Sequence, residues 1–253
     1  MNWNFIDTGF NTGKFNMEFD FKLIESAKKD NAVLRFFRWD PFCISFGANQ
    51  NYSTINLAKV KEENLDVVKR PTGGRAILHA EELTYSVVYP INKSISPKKL
   101  YEEINLALMQ GLIYYDDLFE NISLENTQPN FAQFYKEQKS ALCFAVSAKS
   151  ELKFDNKKIV GSAQRKIGDF VLQHGSILCG DYHKKIVEYL NLPNNELLAL
   201  KNEINLTTTE IETVTGYKTD YNKLSASIKK GFEDHFKANL YEVENDVLVS
   251  IQD

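Results

Sequence analysis

The sequence predicts an α+β protein built on a mixed or largely antiparallel β-sheet with flanking helices. Strand-like and helical segments follow one another in mixed order along the 253 residues, with more strands than a doubly wound sheet contains. The chain has no internal repeat and no low-complexity linker. Its 43% hydrophobic and 25% charged residues are typical of a globular protein with a substantial core. We therefore expect a single domain over residues 1–253.

The first half of the chain alternates short β-rich runs with amphipathic segments. Apolar residues recur every four positions in residues 12–29, which predicts a helix with one apolar face. Asp40-Pro41 separates two β-rich runs and predicts a strand–turn–strand unit. A short helix is predicted over residues 56–63, with its cap near Ser53 or Thr54. β-Rich composition predicts strands at residues 3–6, 33–39, 42–46, 67–68, 76–79 and 84–89.

The second half begins with a strong helix signal at Ser96-Pro97. Serine suits the cap and proline the first helical position, so a helix is predicted to about residue 115. Residues 116–140 are polar and weakly periodic, which makes them a candidate irregular lid. Between Cys143 and Cys179 the sequence predicts successive β-hairpins. The remaining predictions are hairpin turns at Asp155-Asn156 and Gly168-Asp169, helices at residues 182–190 and 221–236 (the second capped by Thr219 or Asp220), and a terminal strand and helical turn.

Charge and cysteine content argue against several classes of protein. The net charge is −4 with scattered Lys and Arg, whereas nucleic-acid binding requires a concentrated basic face. Three widely spaced cysteines do not suggest a disulfide framework, and no His/Cys cluster suggests a metal site. The N-terminal residues do not resemble a signal peptide, and no apolar run approaches the roughly 20 residues of a membrane span. We expect a cytoplasmic protein that binds no nucleic acid, membrane or metal.

Residues 70–79 read Arg-Pro-Thr-Gly-Gly-Arg-Ala-Ile-Leu-His and carry the first chemical signal. Gly73 and Gly74 permit positive φ and a close approach of backbone to a ligand. Arg70 and Arg75 flank them, and exposed amides between two cations suit an anionic group such as a phosphate. An ordinary hairpin turn with solvated arginines explains the same pattern, and this segment alone favours that interpretation.

Three later residues are possible members of a reactive site. Lys158 faces the opposite side of its strand from Lys157 and could reach a narrow tunnel, although hairpin lysines usually lie on the surface. Cys143 would act as a nucleophile only beside a cation that holds it as a thiolate, and is otherwise a small buried apolar residue. His174 precedes Gly175 and by itself is more typical of a structural histidine than of a ligand contact.

Taken together, these segments resemble the lipoate–protein ligase and octanoyltransferase family. The resemblance rests on Arg70 to Val87, Lys158 to Gln164 and Leu172 to Leu178, in the family's order and spacing, and covers roughly residues 3–190. It implies a fold of the biotin/lipoate protein ligase catalytic-domain type. The substrate-binding residues that it implies are Arg70, Gly73, Gly74, Arg75, His79, Gly161, Ser162, Ala163, Gln164, His174 and Gly175.

Cys143-Phe144 resembles one branch of that family, the cysteine-dependent octanoyltransferases of Gram-positive type. In that branch the cysteine forms an acyl-thioester and the lysine lowers its pKa, which implies catalytic roles for Cys143 and Lys158. The implied donor is octanoyl-acyl carrier protein. The implied acceptor is the lysine of a lipoyl-domain protein, with the glycine cleavage H protein as the expected example, and no cofactor is required.

The same resemblance suggests how the substrates would be held. Ile77, Leu78 and Val160 would line an apolar slot for the acyl chain, and the Gly-Gly loop would close over it. Arg70 and Arg75 would meet the acidic surface of an acyl carrier or a lipoyl domain.

Two alternatives to the transferase remain open. An ATP-dependent lipoate–protein ligase would share the Gly-Gly loop and Lys158, would use ATP and Mg, and would treat Cys143 as structural. The second alternative is a non-catalytic module that binds carrier domains. Ala80 and Ala145 leave this possibility open, because they stand where the family commonly has aspartate. Cys143-Phe144 and the little room for a C-terminal accessory domain favour the transferase.

Overall fold

A six-stranded mixed sheet forms the centre of the protein. The computed structural model describes residues 1–91, 95–125 and 151–243. The strand order is β10-β11-β6-β2-β1-β12, in which β1 is parallel to β2 and β12 and the remaining pairs are antiparallel. The predicted mixed α+β sheet is confirmed. Its strands are β1 (Asn2–Asn11), β2 (Asn31–Trp39), β6 (Glu82–Pro90), β10 (Val160–Ile167), β11 (Phe170–Leu178) and β12 (Leu240–Glu242).

Two three-stranded sheets carry the Gly-Gly loop and the lysine hairpin. The loop joins β4 to β5, and the hairpin β8–β9 turns at Asp155 and Asn156, both with positive φ. Both predicted hairpin turns are confirmed, the second at Gly168 between β10 and β11. The strands are β3 (Cys43–Phe46), β4 (Asp66–Lys69), β5 (Ile77–His79), β7 (Ser123–Leu124), β8 (Leu152–Phe154) and β9 (Lys157–Lys158).

The two strands on either side of Asp40-Pro41 do not pair with each other. β2 lies in the central sheet, where β1 and β6 occupy both of its edges. β3 therefore has no free edge of β2 to pair with, and it lies between β4 and β5 instead. Both strands were predicted correctly, but they belong to different sheets.

Six α-helices and three 3₁₀ helices are present in the described ranges. The predicted caps of the two longest are confirmed, since Ser96 caps α3 and Asp220 caps α6. The α-helices are α1 (Gly13–Glu25), α2 (Leu57–Glu62), α3 (Pro97–Tyr115), α4 (Asn194–Thr207), α5 (Ile211–Thr215) and α6 (Tyr221–Phe236), and the 3₁₀ helices are Tyr52–Thr54, Asp117–Asn121 and Tyr182–Tyr189. Within the same ranges, no helix is long and apolar enough to cross a membrane.

Two helix boundaries differ from the predictions because local caps decide them. α1 ends at Glu25, and Ser26 forms its C-cap, whereas the sequence predicted an end near residue 29. α2 is capped by the side-chain oxygen of Asn56, so the predicted cap at Ser53 or Thr54 is wrong. Those two residues belong to a 3₁₀ turn.

Other departures lie in the second half of the chain. Residues 182–189 form a 3₁₀ helix, and α4 and α5 were not predicted. α4 buries only Leu200 and Ile204, so its sequence carries little amphipathic signal. In the predicted lid, residues 117–121 are helical and residues 123–124 are a strand. Residues 126–140 of that prediction lie outside the described residues, as do Cys143 and Ala145.

The main hydrophobic core lies between one face of the central sheet and the helices α3 and α6. Trp3, Phe36 and Tyr85 project from the sheet, and Leu108 and Phe232 meet them from the helices, all fully or nearly fully buried. Full burial of each large apolar side chain stabilises the fold by about 1.5–3 kcal/mol. This layer gives the strands β6 and β11 a rigid backing, and both strands contribute to the cleft described next.

Candidate active site

A cleft brings together the three segments that the sequence singled out. Its walls come from helix α1, strands of the central sheet, the β3–β5 sheet and the lysine hairpin, so residues far apart in sequence become neighbours. The lining residues are Met17, Phe37, Trp39, Ser45, Arg70, Ile77, His79, Thr84, Glu151, Lys158, Gly161, Ser162, Ala163, His174, Gly175 and Ser176.

Lys158 is a buried cation in the cleft wall. Its side chain is only 2% exposed, whereas Lys157 on the other face of the strand is half-buried. Its Nζ lies 2.9 Å from Oε2 of Glu151, which is itself buried. A buried ammonium requires such a partner, because removal from water strongly penalises an isolated charge. The interpretation of Lys158 as a surface hairpin lysine is therefore wrong.

Glu151 was not among the predicted site residues. It connects two elements, because its Oε2 pairs with Lys158 and its Oε1 accepts a long hydrogen bond of 3.4 Å from the N–H of Ser162 at the start of β10. A signal for it does exist in the hairpin register. Lys153 pairs with Lys158 across β8–β9, so the residue two positions before Lys153 shares the face of Lys158.

His79 is held in a buried chain of hydrogen bonds. Its Nε2 lies 2.7 Å from the hydroxyl of Ser45 and its Nδ1 lies 2.8 Å from Oε1 of Glu82. The ring also stacks on Trp39, with ring centroids 4.2 Å apart. Arg70 also donates to the Ser45 oxygen at 3.0 Å, so Ser45 connects the guanidinium to the imidazole ring. His79 thus has a fixed orientation at the cleft wall.

Glu82 is a buried carboxylate stabilised in its charged form. Burial alone would raise its pKa, but the attraction and hydrogen bond of His79 and the hydroxyls of Thr84 and Ser176 hold the pKa below the usual range. Each of these contacts favours the anion. The charge of Glu82 in turn orients His79.

His174 combines both interpretations that the sequence offered. It is buried and satisfied, with Nε2 2.6 Å from the Thr72 hydroxyl and Nδ1 3.6 Å from Asp20, and it also lines the cleft. Burial lowers its pKa despite Asp20, so the ring is neutral at pH 7. Asp20 is compensated by the fully buried Arg35, whose Nη1 lies 2.8 Å away.

Arg70 shapes the Gly-Gly loop from inside. Its guanidinium donates to the carbonyl oxygens of Ser45 at 2.9 Å, Gly73 at 3.0 Å and Arg75 at 2.6 Å. The residue is 3% exposed, so neither a solvated Arg70 nor its predicted contact with an acidic partner surface fits this geometry. Gly74 has φ +98°, and its carbonyl oxygen approaches Gly47 so closely that a Cβ there would lie at 2.0 Å.

Several predicted binding residues lie outside the cleft lining. Gly73, Gly74 and Arg75 form the outer part of the loop, where Gly73 is exposed. Gln164 donates to the side chain of Gln173 on β11 at 3.1 Å. Their roles stay predictions.

The residues predicted to line the acyl slot lie on different sides of their strands, because side chains alternate between the two faces. Ile77 faces the cleft, whereas its neighbour Leu78 and Val160 are buried in the hydrophobic cores. Ala80 is also buried, between β5 and β6. Among the residues that the structure describes, no three His, Cys, Asp or Glu side chains cluster as metal ligands would.

Comparison with known proteins defines the class first. Residues 12–233 match the lipoyl protein ligase A/B catalytic domain. The fold resembles a crystal structure of lipoate-protein ligase A bound with ATP, with a TM-score of 0.77 at 16% identity, covering 100% of this chain and 93% of that chain. A putative lipoate protein ligase from T. acidophilum with bound lipoic acid gives 0.76 at 17% identity, with coverage of 100% and 93%. These similarities confirm the predicted catalytic-domain fold.

Sequence relatives narrow the class. The chain is 30% identical to octanoyltransferase LipM of Staphylococcus aureus over 251 residues, 96% of this chain and 90% of the relative. It is 36% identical to octanoyltransferase LipM of Lysinibacillus sphaericus over 202 residues, 77% of this chain and 72% of the relative. The chain therefore belongs to the lipoyl protein ligase A/B family and, within it, to the LipM-type octanoyltransferases, which confirms the predicted family and acyltransferase class.

Proposed function

We propose that the protein moves an octanoyl group from octanoyl-acyl carrier protein, through a thioester on Cys143, to the lysine of a lipoyl-domain protein. The observation that carries the proposal is the buried ammonium of Lys158 in the wall of the cleft, in a chain of the octanoyltransferase group. Cys143 enters from the sequence, where Cys143-Phe144 precedes the lysine hairpin. The glycine cleavage H protein is the expected acceptor.

The chemistry depends on converting a thiol into a thiolate. An ordinary cysteine has a pKa of about 8.5, so only a few per cent is thiolate at neutral pH. A cation within a few ångströms favours the charged sulfur. This attraction is stronger in a buried site than in water, because the effective dielectric constant is lower.

Two acyl transfers complete the reaction. The Cys143 thiolate attacks the donor carbonyl carbon, the bond from that carbon to the carrier sulfur breaks, and the carrier thiolate takes up a proton. The neutral amine of the acceptor lysine then attacks the enzyme thioester, a C–N bond forms, the C–S bond breaks, and the nitrogen loses a proton. The first transfer exchanges one thioester for another, and the second forms a more stable amide, so no ATP is consumed.

The acyl chain would occupy the apolar part of the cleft. Met17, Phe37, Trp39 and Ile77 provide this surface. The cavity volume is about 40 Å³, space for roughly two or three water molecules. We therefore expect wall side chains to shift when an octanoyl group enters, with the flexible Met17 the most adaptable.

Intact-protein mass spectrometry tests the proposal directly. After incubation with octanoyl-acyl carrier protein and no acceptor, the wild type should gain one octanoyl increment and Cys143→Ala should gain none. Cys179→Ala is the matched control and should be acylated normally, because Cys179 is fully buried and burial raises its thiol pKa to about 12. Subsequent addition of a lipoyl domain should remove the increment from the enzyme and transfer it to the domain.

Three outcomes would contradict the proposal. An absence of adduct on the wild type, or an unchanged adduct on Cys143→Ala, would exclude the thioester. Pyrophosphate release from ATP and Mg²⁺ with free octanoate, without any adduct, would identify a ligase. Tight binding of the carrier with no acyl transfer to either protein would identify a binding module.

A further inference from the structure

Glu151 occupies a special place in the cleft wall. Among the cleft-lining residues in the described part of the chain, it is the only carboxylate. The other ionisable groups of the wall are Arg70, His79, Lys158 and His174, none of which carries negative charge. The carboxylates of Glu82 and Asp20 lie behind the two histidines and pair with them. Among the cleft-lining residues that the structure describes, Glu151 thus supplies negative charge next to Lys158.

The backbone of Glu151 is anchored on both sides. Its carbonyl oxygen accepts from the N–H of Glu125 at 2.8 Å, and the N–H of Ile159 bonds to the next carbonyl, that of Leu152, at 3.1 Å. The carboxylate therefore extends from an anchored residue just before β8 and reaches Lys158 over 2.9 Å, while its second oxygen approaches the N–H of Ser162. Such an arrangement holds an ammonium more firmly than a side chain on a mobile loop would.

In addition to burial, the charge of Glu151 raises the pKa of two tyrosines on the far side of Ser162. Burial raises the pKa of Tyr101, and the charge of Glu151 adds to this effect. Burial likewise raises the pKa of Tyr85, whose hydroxyl lies 2.7 Å from that of Ser162. Both phenols stay neutral at physiological pH, so they do not compete with Glu151 as the counter-charge of Lys158.

We propose that Glu151 is a positioning residue of the acyl transfer, which provides a buried counter-charge for the ammonium of Lys158 and fixes its place in the cleft wall. A lysine has a long flexible stem and a compact charge, so a buried lysine without a counter-charge would adopt other rotamers or lose its proton. The catalytic consequence rests on the proposed function. The geometric part, a Lys158 fixed by Glu151, can be tested without it.

The first experiment measures the rate of octanoyl adduct formation against pH. Glu151→Gln should acylate more slowly, and its alkaline limb should lie at lower pH than that of the wild type, because Lys158 loses its buried anion. Glu151→Asp keeps the charge and should restore the alkaline limb with a reduced rate. An alkaline limb in Glu151→Gln identical to that of the wild type would overturn the proposal.

Glu210→Gln serves as the matched control. Glu210 is fully buried and pairs with Lys184 at 2.8 Å, but neither residue lines the cleft. This variant loses an ion pair whose carboxylate is equally buried, although Lys184 is 21% exposed, so its stability should fall while its pH profile stays that of the wild type. A shift equal to that of Glu151→Gln would show that the profile reports general destabilisation, which would overturn the proposal.

A second experiment separates this inference from the proposed function. Competitive acetylation with acetic anhydride across pH, read by peptide mass spectrometry at Lys158, reports the reactivity of that amine without octanoyl-acyl carrier protein and without Cys143 chemistry. Glu151→Gln should become acetylated at lower pH than the wild type, and Glu151→Asp should not. A shifted acetylation profile with no octanoyl adduct on the wild type would refute the proposed function and support the pairing, whereas an unshifted profile would refute the pairing alone.

Discussion

At the scale of single residues, the cleft is organised by buried pairs of charged and polar side chains. Lys158 pairs with Glu151, His79 with Glu82, and Arg35 with Asp20 behind His174. A buried charge is tolerated only when it is compensated, and removal of one partner leaves the other exposed to the full desolvation penalty. These pairs therefore fix the orientation of side chains at the cleft rather than simply adding stability.

Lys158 should control the reactivity of Cys143. In Lys158→Ala, alkylation of Cys143 by iodoacetamide at neutral pH should slow by about tenfold or more, because the thiolate loses its stabilising cation. The rate is followed by peptide mass spectrometry. Lys157→Ala, which removes the half-buried neighbour on the opposite face of the strand, should react like the wild type. Equal rates in all three proteins would argue against the pairing of Cys143 with Lys158.

At the scale of elements, the close crossing of α3 and α6 supports the sheet behind the cleft. A Cβ at Gly231 would lie 2.5 Å from both the carbonyl oxygen of Ala107 and the amide nitrogen of Gly111. These are backbone atoms, which cannot move aside like the end of a flexible side chain. Glycine at this position therefore sets the distance between the helices.

Gly231→Ala should destabilise the protein by about 1–3 kcal/mol through overpacking. The gain in helix propensity, about 1 kcal/mol, opposes this loss but does not remove a backbone clash. Urea unfolding gives the free energy, and Lys230→Ala, an exposed position on the same helix, should change it little. An unchanged or increased stability of Gly231→Ala would mean that the helices separate at little cost.

At the scale of the whole molecule, the buried titratable groups make stability depend on pH. Burial lowers the pKa of His174 and His183, so the unfolded chain takes up protons first as pH falls below 6.5. Burial raises the pKa of Asp20 and Glu82, but the partners of these carboxylates lower it further, so both pKa values lie below the usual range. The stability that the two groups contribute above about pH 4.5 is therefore lost as the pH falls below that value. Both effects lower the free energy of unfolding as the pH falls.

The free energy of unfolding should therefore fall progressively from pH 7 towards pH 4 and below. In Glu82→Gln the loss below about pH 4.5 should be less steep than in the wild type, since this group no longer titrates. Chemical denaturation at a series of pH values measures the slope. Glu102→Gln, at a partly exposed site, should keep the slope of the wild type. Equal slopes in both variants would show that Glu82 does not contribute to acid unfolding.

Much of the local structure could be predicted because its signals lie close together in sequence. The helix that begins at Ser96-Pro97 and the turn at Asp155-Asn156 depend on neighbouring residues and appear as predicted. α4 was missed because it exposes Leu198 and Leu206, so its apolar residues do not form the one-sided stripe expected of an amphipathic helix.

By itself, the sequence determined the fold class, the family and the cleft segments around Arg70, Lys158 and His174, because their residue types and order are specific. Only the tertiary structure decided that Arg70 points inward and that Lys158 is buried against Glu151. Burial and pairing depend on residues distant along the chain, as in the contact between Thr72 and His174, 102 positions apart. No local pattern encodes such a contact, because the packing of the whole sheet creates it.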